Sequence, residues 1–126
     1  MINLSPYKEQ ITCKPQFVLD GVIPGYFSAA DFVVLPYFRT AVRGVANIAP
    51  AYGKPIITSD LETMQECLKD YEGAMFTPVG DSAAIAQKLT EIYTQYKSGK
   101  AMVYNPPQNT WDEIAREYEQ IIEQII

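Results

Sequence analysis

Arg39 and Arg43 lie on either side of Thr40 in an acidic chain with only 10 basic residues. Guanidinium groups at that spacing suit charge-assisted hydrogen bonds to a diphosphate or a sugar acid. The plainer reading is two solvated loop arginines. Directly after them, Gly44, Val45 and Ala46 open a segment that reads as a helix. Backbone N–H groups at a helix start form a ready anion site, although every helix start has them. Glu62 and Glu66, one helical turn apart, imitate a paired acid and base. Glu62 is already accounted for by a capping box with Ser59. The chain has no histidine, which excludes His-based triads, His general bases and most catalytic zinc sites. Cys13 and Cys67 are far apart and lack metal-ligand spacing, as expected of a reduced, cytoplasmic protein. The nine tyrosines are scattered and suit a core or its rim better than a stacking platform.

The elements that must position these residues run from 32 to 60. FVVLP is an uninterrupted apolar run of strand length, RTAVRG is a turn, VANIAPAYG is a helix ending at Gly53, and KPIITS is a second β-branched run. Strand, helix and strand within about 30 residues form the βαβ unit of a parallel sheet. Ligands of such sheets bind beyond the carboxyl ends of the strands, which here is Tyr37 to Val45. Pro50 predicts a kink in the helix, and Gly53 a left-handed cap.

Around that unit, Phe17 to Leu19 reads as a short strand and Asp20-Gly21 as a turn. PGYFSAAD gives one or two helical turns. Ser59 as N-cap with Glu62 predicts a helix over about 60–69 that buries Leu61, Met64 and Leu68. AMFTP is a further strand. Asp81 caps a helix over 82–97 whose stripe is Ile85, Leu89, Ile92 and Tyr96. Thr110 with Glu113 opens the last helix, with a stripe of Trp111, Ile114, Ala115, Tyr118, Ile121, Ile122 and Ile125. Residues 1–126 are therefore expected to form a single α/β domain, with a Rossmann-like parallel sheet of about four strands flanked by helices.

Hydrophobic content of 48% is ordinary for a globular domain. The net charge of −5 argues against a nucleic-acid partner, which requires a basic face. No apolar run approaches the length of a membrane span.

In order, the segments IPGYFSAADFVVLPY, YGKPIITSD, EGAMFTPVGDSAAIAQKL and TWDEIAREYEQII resemble the C-terminal, donor-nucleotide half of the group 1 glycosyltransferases of GT-B architecture. The resemblance covers about Phe17 to the end of the chain. It implies a Rossmann-like domain that holds a nucleotide sugar, with retaining glycosyl transfer and no bound metal or other cofactor. It places the nucleotide base on the backbone at Asp20-Gly21. The family's pair of glutamates in the loop and helix before GKP falls on Thr40 and Ile48 here. RGVANIAPAYGKP is instead closer to a branch with small-Gly-Val in the loop. Donor binding is thus expected at Gly21, Arg39, Thr40, Arg43, Gly44, Val45 and Ala46, while no catalytic residue is assigned.

The resemblance also implies that an N-terminal acceptor domain, two donor-domain strands and the diphosphate-binding basic residues lie outside this chain. By itself the chain is therefore expected to be inactive, either completed by a missing N-terminal half or paired as a homodimer. In the family's strand order, 3-2-1-4-5-6, Phe17 to Leu19 is strand 3 and FVVLP is strand 4. The Phe17 strand is then expected either to move beside FVVLP or to leave an apolar edge open for a second chain. The alternative reading is a non-catalytic α/β module that binds a partner chain.

Overall fold

The computed structural model describes residues 2–39, 44–100, 102–106 and 111–125. Three parallel strands stand in the order β1-β2-β3, with β1 at Val33–Leu35, β2 at Ile56–Ser59 and β3 at Ala74–Thr77. The registers pair Val33 with Ile56 and Ile56 with Ala74. Each strand is followed by a helix. These are α2 (Gly44–Ala51), α3 (Glu62–Cys67) and α4 (Ser82–Lys97), while α1 (Ile23–Ala29) precedes β1 and α5 (Trp111–Ile125) closes the chain.

β2 is buried at all four positions because it has a neighbour on each side and cover on both faces. Leu35, Ile56, Ala46, Ala49, Met64, Leu68 and Tyr71 form the core cluster. The alanines of α2 let its backbone approach the sheet closely. Pro50 lies in the last turn of α2, where it removes the bond to the Ala46 carbonyl and the helix ends one residue later. Gly53 then takes φ +64 and ends it, as expected. The N-cap at Asp81 is also present: Oδ1 accepts from the Ala84 N–H at 2.9 Å.

Four expectations are corrected. The sheet has three strands among the described residues, not about four. Phe17 to Leu19 forms none, and Phe17 and Leu19 stand 84% and 67% exposed. Pro15 offers no N–H, and the chain enters a 3-10 turn at Asp20–Val22, so too few residues remain for a ladder. The edge of β1 away from β2 has no partner strand among the described residues. Second, Ser59 does not cap a helix. It is the last, buried residue of β2, opposite Thr77, and α3 starts later at Glu62 with Leu61 before it. The ladder continues to the Asp60 N–H, which donates to the Thr77 carbonyl at 2.9 Å and holds Ser59 extended. Third, FVVLP contributes only three residues to β1, since Pro36 has no N–H for a further bond. Fourth, Tyr96 lies 59% exposed rather than on the buried stripe of α4.

Candidate functional site

Because β1, β2 and β3 are parallel and each feeds a helix, the starts of α2, α3 and α4 gather at the carboxyl edge of the sheet. Buried hydroxyls fasten that edge. Thr58 Oγ1 donates to the Leu35 carbonyl at 3.1 Å, and Thr77 Oγ1 donates to the Thr58 carbonyl at 3.4 Å. Beyond the ladder, the side-chain amide of Gln65 donates to the Asp60 carbonyl at 3.1 Å. The three strand ends are therefore tied to one another by side chains as well as by the backbone ladder.

Arg39 stands exposed on the bend that follows β1, and Gly44, Val45 and Ala46 form the first turn of α2. Ala46 is buried against the sheet, whereas Gly44 and Val45 are exposed. A Cβ placed on Gly44 would meet nothing within 4 Å among the described residues. Thr40 and Arg43 fall outside the described residues. Gly21 lies elsewhere, on the 3-10 turn that packs against α1. It is exposed, with open space where a side chain would stand. The structure thus groups Arg39 with the α2 start and sets Gly21 on a separate pair of elements. Glu62 is exposed in the first turn of α3 and is not the capping partner of Ser59.

Phe38 was not singled out by sequence reasoning. It is 73% exposed, and a Cβ on Gly80 would lie 3.3 Å from its ring. The loop after β1 therefore meets the loop after β3 across the end of β2. A sequence signal did exist, because Phe38 directly precedes Arg39 at the strand's carboxyl end. Its contact with a loop about 40 residues away depends on tertiary pairing. A second contact behind the site is Cys67 Sγ donating to Asn47 Oδ1 at 2.9 Å, which ties α3 to α2.

Two cavities among the described residues lie away from this edge. One, of about 680 Å³, opens at the amino ends of the strands between Asp31, Lys54 and the end of α4. The other, of about 530 Å³, is bounded by Lys14, Phe17, Leu19 and Tyr26. The carboxyl edge is an open shelf among the described residues. No group of three or more Cys, Asp or Glu side chains there or elsewhere among them is placed to hold a metal ion. Likewise, no helix is long and apolar enough to cross a membrane.

Comparison with curated proteins gives no match, and comparison with solved structures gives none either. A family model, described as glycosyl transferases group 1, matches residues 6–95, more than two thirds of the chain. That span contains the whole three-stranded sheet and the helix starts at its carboxyl edge, and on this evidence the chain belongs to the group 1 glycosyl transferases.

Proposed function

We propose that the chain is the donor-binding part of a sugar-nucleotide-dependent glycosyltransferase, with the donor diphosphate at the loop between β1 and α2. What supports this reading is the position of Arg39 and the α2 start, together beyond the carboxyl end of β1. The N–H groups of Gly44, Val45 and Ala46 point along the positive end of the helix dipole. Arg39 adds an exposed cation on the bend after β1. Thr40 and Arg43, in the same loop, belong to the proposed contacts, and Gly21 belongs to them as a backbone rest for the base.

Leaving-group chemistry follows from that placement. As the glycosyl bond breaks, negative charge grows on the diphosphate, and the N–H groups of the α2 start together with the Arg39 guanidinium would stabilise it. Fixing the diphosphate also orients the sugar. The transfer is proposed to be retaining and to need no bound metal. A cytoplasmic setting belongs to the same proposal and is supported by Cys13 and Cys67 not being joined in a disulfide.

The test is a titration of the 15N-labelled chain with a nucleoside diphosphate and its hexose ester. Amide shifts are expected at Arg39 and Gly44–Ala46. Arg39→Gln is expected to weaken binding about tenfold, the scale of one lost charge-assisted hydrogen bond. Shifts confined to the start of α4 near Asp81, or no shifts at millimolar ligand, would overturn the assignment.

A further inference from the structure

The amino edge of the sheet carries a groove that donor binding does not use. Its floor is apolar, formed by Phe32 and Ile92. Its rim is cationic: Lys54, Lys97 and Lys100 line it against the single acid Asp31. Tyr93, Tyr96 and Val103 extend the apolar surface outward, at 56%, 59% and 80% exposed. Surface of this kind on a small chain marks a contact face.

α5 has the opposite character. Its apolar residues Ile114, Tyr118, Ile121, Ile122 and Ile125 follow helical spacing on one face. Tyr118, Ile121, Ile122 and Ile125 are each more than half exposed. The helix carries Asp112, Glu113, Glu117, Glu119 and Glu123 against one basic residue, Arg116. Among the described residues, none of α5 lines that groove, and most of its stripe stands exposed.

We propose that α5 docks into the amino-edge groove of a second copy of this chain, and that the exchange is reciprocal. Two observations select this occupant. The signs are complementary, an acidic helix against a lysine rim, which favours encounter and fixes orientation. The apolar faces are matched in kind, and a reciprocal exchange uses both twice, as a twofold interface requires. Met102 and Val103, which line the groove, also lead the chain toward α5. The proposal is independent of the donor reading, because the groove is at the end of the sheet opposite Arg39.

Charge reversal tests it. One variant carries Lys97→Glu and Lys100→Glu, the other Glu117→Lys and Glu119→Lys. In sedimentation equilibrium at low salt and tens of micromolar, the unaltered chain is expected at about twice 14.2 kDa. Each variant alone is expected at 14.2 kDa, and the mixture at about twice that mass, because both contacts of the mixed dimer regain opposite signs. A monomeric unaltered chain overturns the proposal, as it means the groove is filled in cis or by a different partner. Variants that remain dimeric alone, or fail to associate on mixing, also overturn it and move the interface elsewhere, such as the open edge of β1. A second measurement does not depend on these variants. A spin label at Gln124→Cys in a chain carrying Cys13→Ser and Cys67→Ser should broaden the amides of Tyr93 to Lys100 in a 15N chain without a spin label mixed with it. No intermolecular broadening there overturns the docking.

Discussion

The two ends of the sheet are built on different terms. At the carboxyl end, hydroxyls of Thr58 and Thr77 fasten the strands, and beyond them lie the exposed Arg39 and the exposed first residues of α2. At the amino end, the chain closes on itself. Tyr71 Oη donates to the Lys54 carbonyl at 2.7 Å, and the Tyr104 N–H donates to the Gly53 carbonyl at 3.1 Å. Tyr71 and Tyr104 meet edge to face at 6.1 Å. Gly73 lies so close under both rings that a Cβ would come within 2.8 Å of each. The difference is one of task. On the proposed reading the carboxyl end keeps backbone donors free for a ligand, whereas the opposite end ties Tyr71, Lys54, Gly53 and Tyr104 together by internal hydrogen bonds.

If the amino end is the lock, breaking it should cost the most. Gly53→Ala is expected to be the largest effect. The residue has φ +64, and its new Cβ would stand 2.7 Å from the Tyr104 carbonyl oxygen, a backbone atom with little freedom to retreat. Strain of this kind costs about 1–3 kcal/mol before the clash is counted. Urea denaturation of the two proteins measures it. A cost no greater than that of an exposed loop substitution would show that the 102–106 segment is not part of the lock.

The next effect is a pH dependence. Burial, and then the neighbouring Tyr104, pushes the Tyr71 phenol up to about 12 from 10.0. Above pH 10 the unfolded state gives up this proton while the folded state retains it. The unfolded state then binds fewer protons, so stability falls as pH rises, by about 1.4 kcal/mol per pH unit until the folded phenol also titrates. Urea melts from pH 9 to 12 should show this slope, and Tyr71→Phe should flatten it. Equal slopes in the two proteins would remove Tyr71 from the account.

The smallest of the three effects tests the carboxyl end. Asp81→Ala removes the side-chain acceptor of the Ala84 N–H and is expected to cost about 1 kcal/mol. Loss of the cap frays the start of α4, while Arg39 and the α2 start keep their positions. Nucleotide shifts at Gly44–Ala46 should therefore survive in Asp81→Ala. Their disappearance would mean that the two loops, which touch through Phe38 and Gly80, act as one unit.

Local signals proved readable wherever one residue's chemistry had no competitor. Gly53 takes the left-handed conformation that its place before Lys54-Pro55 required. Asp81 caps α4, and the long period-3.6 pattern of residues 82–97 forms a helix with the same bounds. Signals failed where two demands met on one residue. Ser59 satisfies a capping pattern, but it also continues a β-branched run, and the pairing of β2 with Thr77 decides for the strand. Phe17 to Leu19 has strand-like side chains but no neighbour to pair with, and a ladder is a property of two segments. Of the candidate site, the Arg39 loop and the α2 start were legible because their position follows from the order strand, turn, helix.

The sequence by itself determined that this is a parallel α/β chain, because unalternated apolar runs separated by capped helices bury themselves in few other ways. It also determined which corner of the βαβ unit brings Arg39 beside the start of α2. The tertiary structure alone decided how many strands share the sheet, that Phe38 reaches Gly80, and that the amino end is tied by Tyr71, Gly73 and Tyr104. It also left the stripe of α5 and the lysine-rimmed groove open on one molecule. These are contacts between residues distant in sequence. Their energy depends on which surfaces meet, and no local pattern of residues encodes that.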